Sequence, residues 1–301
     1  MKNSVEEFLK NLKYQRNYSD YTILSYKEDL NTYEEFLNRE GLNFKTIKYN
    51  DIRNYLRYLK EEKNEKNSSI CRGLSALRTF YNYLITNEVT DSNPFTYLNG
   101  PKKEKRLPRY FEYNELEELF KVPDLKDPYG QRNRLILELL YASGMRVGEL
   151  VSIKVKDINI SEGTILILGK GNKERITHFG EYAKEILLLY LDDGYKKLNK
   201  KNLDYLFINN KATKLTERGV RDILNNVIKE TDISKHISPH MLRHTFATHL
   251  LNEGCDILSV QKLLGHESIS ATGIYTHVTT EHLKNVYYSN FPRAKMNKKE
   301  D

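Results

Sequence analysis

A chain of 301 residues is long enough for two domains, and 39% hydrophobic with 30% charged residues and a mean hydropathy of −0.67 exclude a wholly disordered chain. A net charge of +7 and a pI near 9.0 favour a polyanionic partner. No run of about eighteen apolar residues exists and the acidic start "MKNSVEEFLKNLK" is no signal peptide, so a cytoplasmic location without membrane insertion is expected; Cys71 and Cys255, far apart in sequence, exclude a disulfide framework or zinc ribbon.

Residues 1–98 read as helices only. Ser4 with Glu7 makes a capping-box start, and Ile23, Tyr26, Leu30, Tyr33 and Leu37 recur at helical spacing until Gly41. Asn50 opens a third pattern through Ile52, Tyr55, Leu56 and Leu59. A fourth carries Ile70, Leu74, Leu77, Tyr81 and Leu84 before Pro94 ends it. Four amphipathic helices predict a small bundle.

Residues 99–108 combine Gly100, Pro101 and Pro108 with Lys102, Lys103, Lys105 and Arg106, which reads as a basic linker. Residues 109–301 are mixed. "NELEELF" and "RNRLILELLYASG" predict helices, the second closed by Gly144, and "VSIKVKDINISEGTILILGKGNKERITHF" alternates as a small antiparallel sheet does. Helical segments follow around "EYAKEILLLYL", "TERGVRDILNNVIKE", "PHMLRHTFATHLLNEG" and "ILSVQKLLG". The chain is therefore mainly α with one small antiparallel β-sheet.

Several polar residues in this second part stand at telling positions. Arg146 follows the Gly144 stop and opens a short helix in which Glu149, three residues on, is placed to hold its guanidinium. Lys170 sits in a tight turn between two predicted strands; with Gly171 and another strand after it, it is no nucleotide-binding loop. Pro239 opens a helix carrying His240 and Arg243 three residues apart, on one face near an N-terminus that favours an anion. His240, His244 and His249 also suggest zinc, but the glutamate usual between such histidines is missing and Arg243 repels a dication, so no metal and no cofactor is expected. His266 follows the helix stop Gly265, and Tyr275 comes nine residues later.

Arg146 in "SGMRVGEL", Lys170 in "GKGNKER", His240 and Arg243 in "PHMLRHTFATHLL", His266 in "LLGHES" and Tyr275 in "IYTHV" together resemble the tyrosine recombinases of the phage integrase type, specifically the Xer-type site-specific recombinases, over essentially the whole chain. The resemblance implies an N-terminal four-helix, SAM-like core-binding domain and a mixed α/β catalytic domain that clamp duplex DNA. It implies Tyr275 as the nucleophile that forms a 3′-phosphotyrosyl link, with exchange through a Holliday junction. Arg146 and Arg243 would clamp the nonbridging phosphate oxygens. His240 would accept the tyrosine proton, Lys170 would protonate the leaving 5′ oxygen, and His266 would bond the phosphate. Two positions depart from the family pattern: Gly273 stands where glutamine is usual, and His178 where proline is usual.

The expected partners are a specific double-stranded site and a tetramer on DNA, of one chain or with a paralogous recombinase, with a DNA translocase as candidate activator. The segment "TEHLKNVYYSNFPRAKMNKKED", with Leu283, Val286 and Tyr287 in helical register, is expected to pack on a neighbouring protomer, with packing on its own subunit as the alternative. Chromosome dimer resolution leads the functional readings. Mobile-element integration or excision, a type IB topoisomerase-like relaxing enzyme and a non-enzymatic architectural DNA-binding protein stand beside it.

Overall fold

A computed structural model describes residues 1–16, 18–98, 100–101, 110–169, 174–265 and 280–295. The chain separates into two compact units, Met1–Arg106 and Leu107–Asp301.

The first unit is built of α1 (Lys2–Tyr14), α2 (Asp20–Glu40), α3 (Tyr49–Arg57), which runs on as a π-helical turn over Tyr58–Glu62, and α4 (Asn67–Thr86). Their apolar faces meet in an aromatic core in which Phe8, Tyr33, Tyr55, Phe80, Tyr81 and Phe95 are fully buried. The buried hydroxyls are partnered: Tyr33 and Tyr81 share a hydrogen bond of 2.8 Å, and Tyr81 donates to the Phe44 carbonyl at 2.7 Å.

Three predicted boundaries move. The Ser4/Glu7 pair lies inside α1, because the Met1 carbonyl already accepts from Val5 N–H at 3.1 Å. The third helix opens at Tyr49 rather than Asn50, since the Asp51 carboxylate accepts from Lys48 N–H at 2.9 Å. The fourth ends at Thr86, well before Pro94; Glu88 has a φ of 57°, which no helix continues through.

The second unit opens with α5 (Tyr113–Lys121), α6 (Pro128–Ser143) and α7 (Val147–Ser152). Helix α6 is buried from Leu135 to Ser143 on every side, because α5, α7, α8 (Glu181–Leu189) and α11 (Pro239–Asn252) pack around it. Asp127 caps its start and Gly144, in the left-handed region with φ 58°, ends it.

A three-stranded antiparallel sheet follows in the order β1 (Ile158–Asn159), β2 (Thr164–Leu168), β3 (Glu174–His178). Its register pairs Ile165 with Thr177 and Ile167 with Arg175 on the inward face, and Leu166 with Ile176 on the exposed face. The remaining helices are α9 (Tyr195–Leu198), α10 (Glu217–Lys229), α12 (Ile257–Leu264) and α13 (Thr280–Asn290).

Helix α13 has much to cover in its own domain. Tyr287 and Phe291 are buried in the main core, with Leu283 and Val286 half-buried against it. Just beyond the helix, Arg293 lies between the Tyr182 and Phe120 rings; it donates to the buried Glu138 carboxylate at 2.7 Å and also pairs with Glu117. This face packs in cis, the arrangement weighed as the alternative. The last residues of the segment expected to pack on a neighbouring protomer, 296–301, lie outside the described residues.

Candidate active site

The corner after α6 is fixed by its own polar groups. Ser143 Oγ donates to the Leu139 carbonyl at 2.6 Å and accepts from Met145 N–H at 3.3 Å, and Gly144 turns the chain where a Cβ would meet Phe246. Arg146 thereby becomes the N-cap of α7.

Glu149, in the first turn of α7, is buried and faces back. One carboxylate oxygen accepts from Arg146 N–H at 2.7 Å, the other from the Arg146 guanidinium at 3.0 Å. The side chain expected to hold Arg146 does so. Arg146 remains 43% exposed, so its guanidinium is both restrained and open to a ligand.

Arg243 comes to the same place from α11, which Ser238 caps and Pro239 opens. It is buried, and its two terminal nitrogens donate to the carbonyls of Gly144 at 2.5 Å and Leu264 at 2.7 Å. Burial, and then the nearby Arg146, push its pKa down to about 10; Glu149 opposes this and Arg175 adds to it. The guanidinium is therefore charged at neutral pH.

Arg175 is the member that sequence reasoning missed. It points inward from β3, donates at 3.1 Å to the Glu149 oxygen that also accepts from Arg146 N–H and at 2.9 Å to the Leu263 carbonyl, and burial lowers its pKa. A signal was present: a charged residue at an inward strand position opposite buried Ile167 needs a buried partner. Three guanidiniums thus gather around one carboxylate, leaving a local charge of about +2. Such a site suits an anion with several oxygens, because its donors are positioned before the ligand arrives.

His240 stands in the first turn of α11, exposed, one turn before buried Arg243. His249 belongs to a different environment: its Nδ1 shares a hydrogen bond of 2.8 Å with the Tyr141 hydroxyl, and Tyr113 packs on its ring at 4.0 Å. His178, where proline was expected, is buried at the end of β3 with its ring 5.8 Å from that of Tyr287. Burial, and then Lys284, lower its pKa.

The structure brings Arg146 and Arg243 together. Lys170, His266 and Tyr275 lie outside the described residues, as does Gly273. The chain on either side of these three expected site residues is described. Lys170 falls between β2 and β3, and the stretch with His266 and Tyr275 begins after Gly265, whose left-handed φ of 67° closes α12.

Comparison with known proteins agrees with this geometry. Residues 109–282 match the phage integrase family, and residues 5–88 match the N-terminal SAM-like domain of phage integrases. Tyrosine recombinase XerC of Bacillus pumilus is 46% identical over 295 residues, covering 96% of both chains; that of Staphylococcus aureus strain MSSA476 is 48% identical over 290 residues, covering 96% of this chain and 97% of its own. A solved structure of the XerH site-specific recombinase bound to its difH substrate before cleavage is 26% identical, with a TM-score of 0.67 over 93% of this chain and 83% of that one. With both family models matched and an arginine cluster built for an anion, the chain belongs to the phage integrase family and is a site-specific tyrosine recombinase, an enzyme that cleaves and rejoins DNA.

Proposed function

We propose that Tyr275 cuts one strand of a specific duplex site, and that Arg146 and Arg243 hold the scissile phosphate while it does so. The tyrosine oxygen bonds to phosphorus as the bond to the 5′ oxygen breaks. Lys170 supplies the proton to the leaving oxygen, His240 takes the tyrosine proton, and His266 bonds the phosphate. Attack of a 5′ hydroxyl on the phosphotyrosyl link reverses the step. Phosphodiester energy is kept in the link, so the reaction calls for neither ATP nor metal, and the cationic side chains stabilise the added charge.

The observation that carries this reading is the group of three guanidiniums around Glu149, two of them at positions where the family places its phosphate clamp. The biological role that fits best is resolution of chromosome dimers, supported by XerC relatives that match over nearly the full chain. A tetramer on DNA, of this chain alone or with a paralogue, is the working assembly, with the outer face of α13 and residues 296–301 as the protomer contact. A DNA translocase is the candidate activator, and the cytoplasm the place of action.

Covalent capture tests the reading. Wild type and Tyr275→Phe are incubated with fragmented host DNA, denatured in detergent, and protein-linked fragments are sequenced. Fragments enriched around one site with wild type alone support it. Linked fragments without a common site, together with relaxation of any supercoiled plasmid, favour the topoisomerase-like alternative, and no linkage at all favours the architectural one.

A further inference from the structure

Arg175 is outside the set of residues that perform the chemistry above, yet it is wired to that set. Its side chain is 17% exposed, and its two terminal nitrogens point to different elements. One holds Glu149, whose other oxygen holds Arg146 at 3.0 Å; the other holds the carbonyl of Leu263 at 2.9 Å, near the end of α12. Contact with the helix end is close. A Cβ on Gly265 would lie 2.7 Å from Arg175 Cδ, a separation real side chains do not reach.

A continuous path therefore runs from Leu263 through Arg175 and Glu149 to Arg146, while Arg243 binds the adjacent Leu264 carbonyl. We propose that Arg175 is a positioning residue for strand cleavage: it sets Glu149, and through it Arg146, against the phosphate, and ties that clamp to the helix end that precedes the Tyr275 stretch. The proposal rests on the recombinase reading above. It requires a planar fork spanning two acceptors on separate elements, which the single ammonium of lysine cannot reproduce.

The test uses the full chain and a duplex carrying the captured site, made once with the ordinary scissile phosphodiester and once with a methylphosphonate there. Replacing one nonbridging oxygen by methyl removes the charge that Arg146 neutralises, so a defect transmitted through Arg146 shrinks on the neutral substrate. Single-turnover formation of the covalent complex is measured for wild type, Arg175→Gln, Arg175→Lys and, as a reference, Arg146→Ala. Thermal melting is measured in parallel.

Both Arg175 variants are expected to be slowed about 100-fold on the phosphodiester and under tenfold on the methylphosphonate, each relative to wild type on the same substrate, with DNA affinity within about threefold of wild type. A merely structural role predicts equal deficits on the two substrates. Equal deficits, or rates within threefold of wild type on both, overturn the proposal. If Arg175→Gln does not fold, Arg175→Lys, which keeps the charge, decides by the same comparison. Failure of the wild-type chain to form a covalent complex on either duplex overturns the recombinase reading itself, and is told apart from a failure confined to the variants.

Discussion

The guanidinium of Arg243 donates to the carbonyl of Leu264 at 2.7 Å, so a residue proposed to clamp the phosphate also caps α12, the helix that precedes the stretch with Tyr275 in sequence. Both of its terminal nitrogens are committed to backbone carbonyls, of Gly144 and Leu264, which fixes the plane in which its remaining N–H groups lie.

Arg243→Lys tests how much of the clamp is geometry. The charge is kept and the fork is lost, so cleavage is expected to fall about 10²–10³-fold while DNA affinity changes little. Single-turnover cleavage and a gel-shift titration at one fixed salt concentration separate the two effects. Full activity in the lysine variant would leave charge alone as the requirement.

Glu149→Gln removes the carboxylate that pairs with both Arg146 and Arg175 and keeps its shape. The amide oxygen can still accept from Arg146 N–H, but the ionic hold on Arg146 and Arg175 is gone. Stability is expected to drop by about 3 kcal/mol, as when one member of a buried ion pair is removed, and cleavage to slow about 100-fold. Denaturant unfolding and covalent-complex rates check the two numbers independently. An unchanged midpoint would mean that solvent around Arg146 already does most of the screening.

Gly265→Ala meets two obstacles. The φ of 67° costs an L-residue about 1 kcal/mol, and the new methyl would strike Arg175 Cδ. Both stability and cleavage should fall. The effect on cleavage should be smaller when alanine also replaces Arg175, because the clash then disappears, and a double-mutant cycle measures that coupling. Additive losses would show that the two side chains do not act on one another.

Buried His178 introduces a pH dependence. Burial holds its folded pKa below the ordinary value, so the folded form binds the proton less readily than the unfolded chain. The sign follows: its contribution to stability is complete above about pH 6.5 and is lost as the pH falls below it, until the folded pKa is reached. His249, lowered by burial in the same sense, adds to the trend. Melting temperatures between pH 8 and pH 5 should fall more steeply for wild type than for His178→Leu. Parallel curves would assign the acid-side loss to other groups.

Local pairings were legible in the sequence and distant ones were not. Arg146 and Glu149 stand three residues apart across a helix start, where spacing alone places them face to face, and the structure joins them at 3.0 Å. Gly144, Gly265 and Pro239 mark helix ends because backbone sterics act within a few residues. Arg175 was hidden for the opposite reason. Strand alternation marks it as inward-facing, but its acceptors lie 26 and 88 residues away, and nothing local names them. Helix α13 shows the same limit: Leu283, Val286 and Tyr287 announce an apolar face, while periodicity cannot say whose core that face enters. At the N-terminus the pattern misled, since Ser4 and Glu7 match a capping box but lie inside a helix that has already begun at Lys2, with the Met1 carbonyl accepting from Val5 N–H.

The carbonyls at the end of α12 have a consequence for the enzyme between encounters with DNA. They carry the partial negative charge of a helix C-terminus, and they accept from Arg175 and from Arg243, the second of which is proposed to hold the phosphate. Leu263 and Leu264 thus hold the Arg175 and Arg243 side chains in fixed positions through the folded backbone alone. On the proposed role of Arg243, a duplex entering the site would join a hydrogen-bond arrangement already in place, its reorganisation completed during folding.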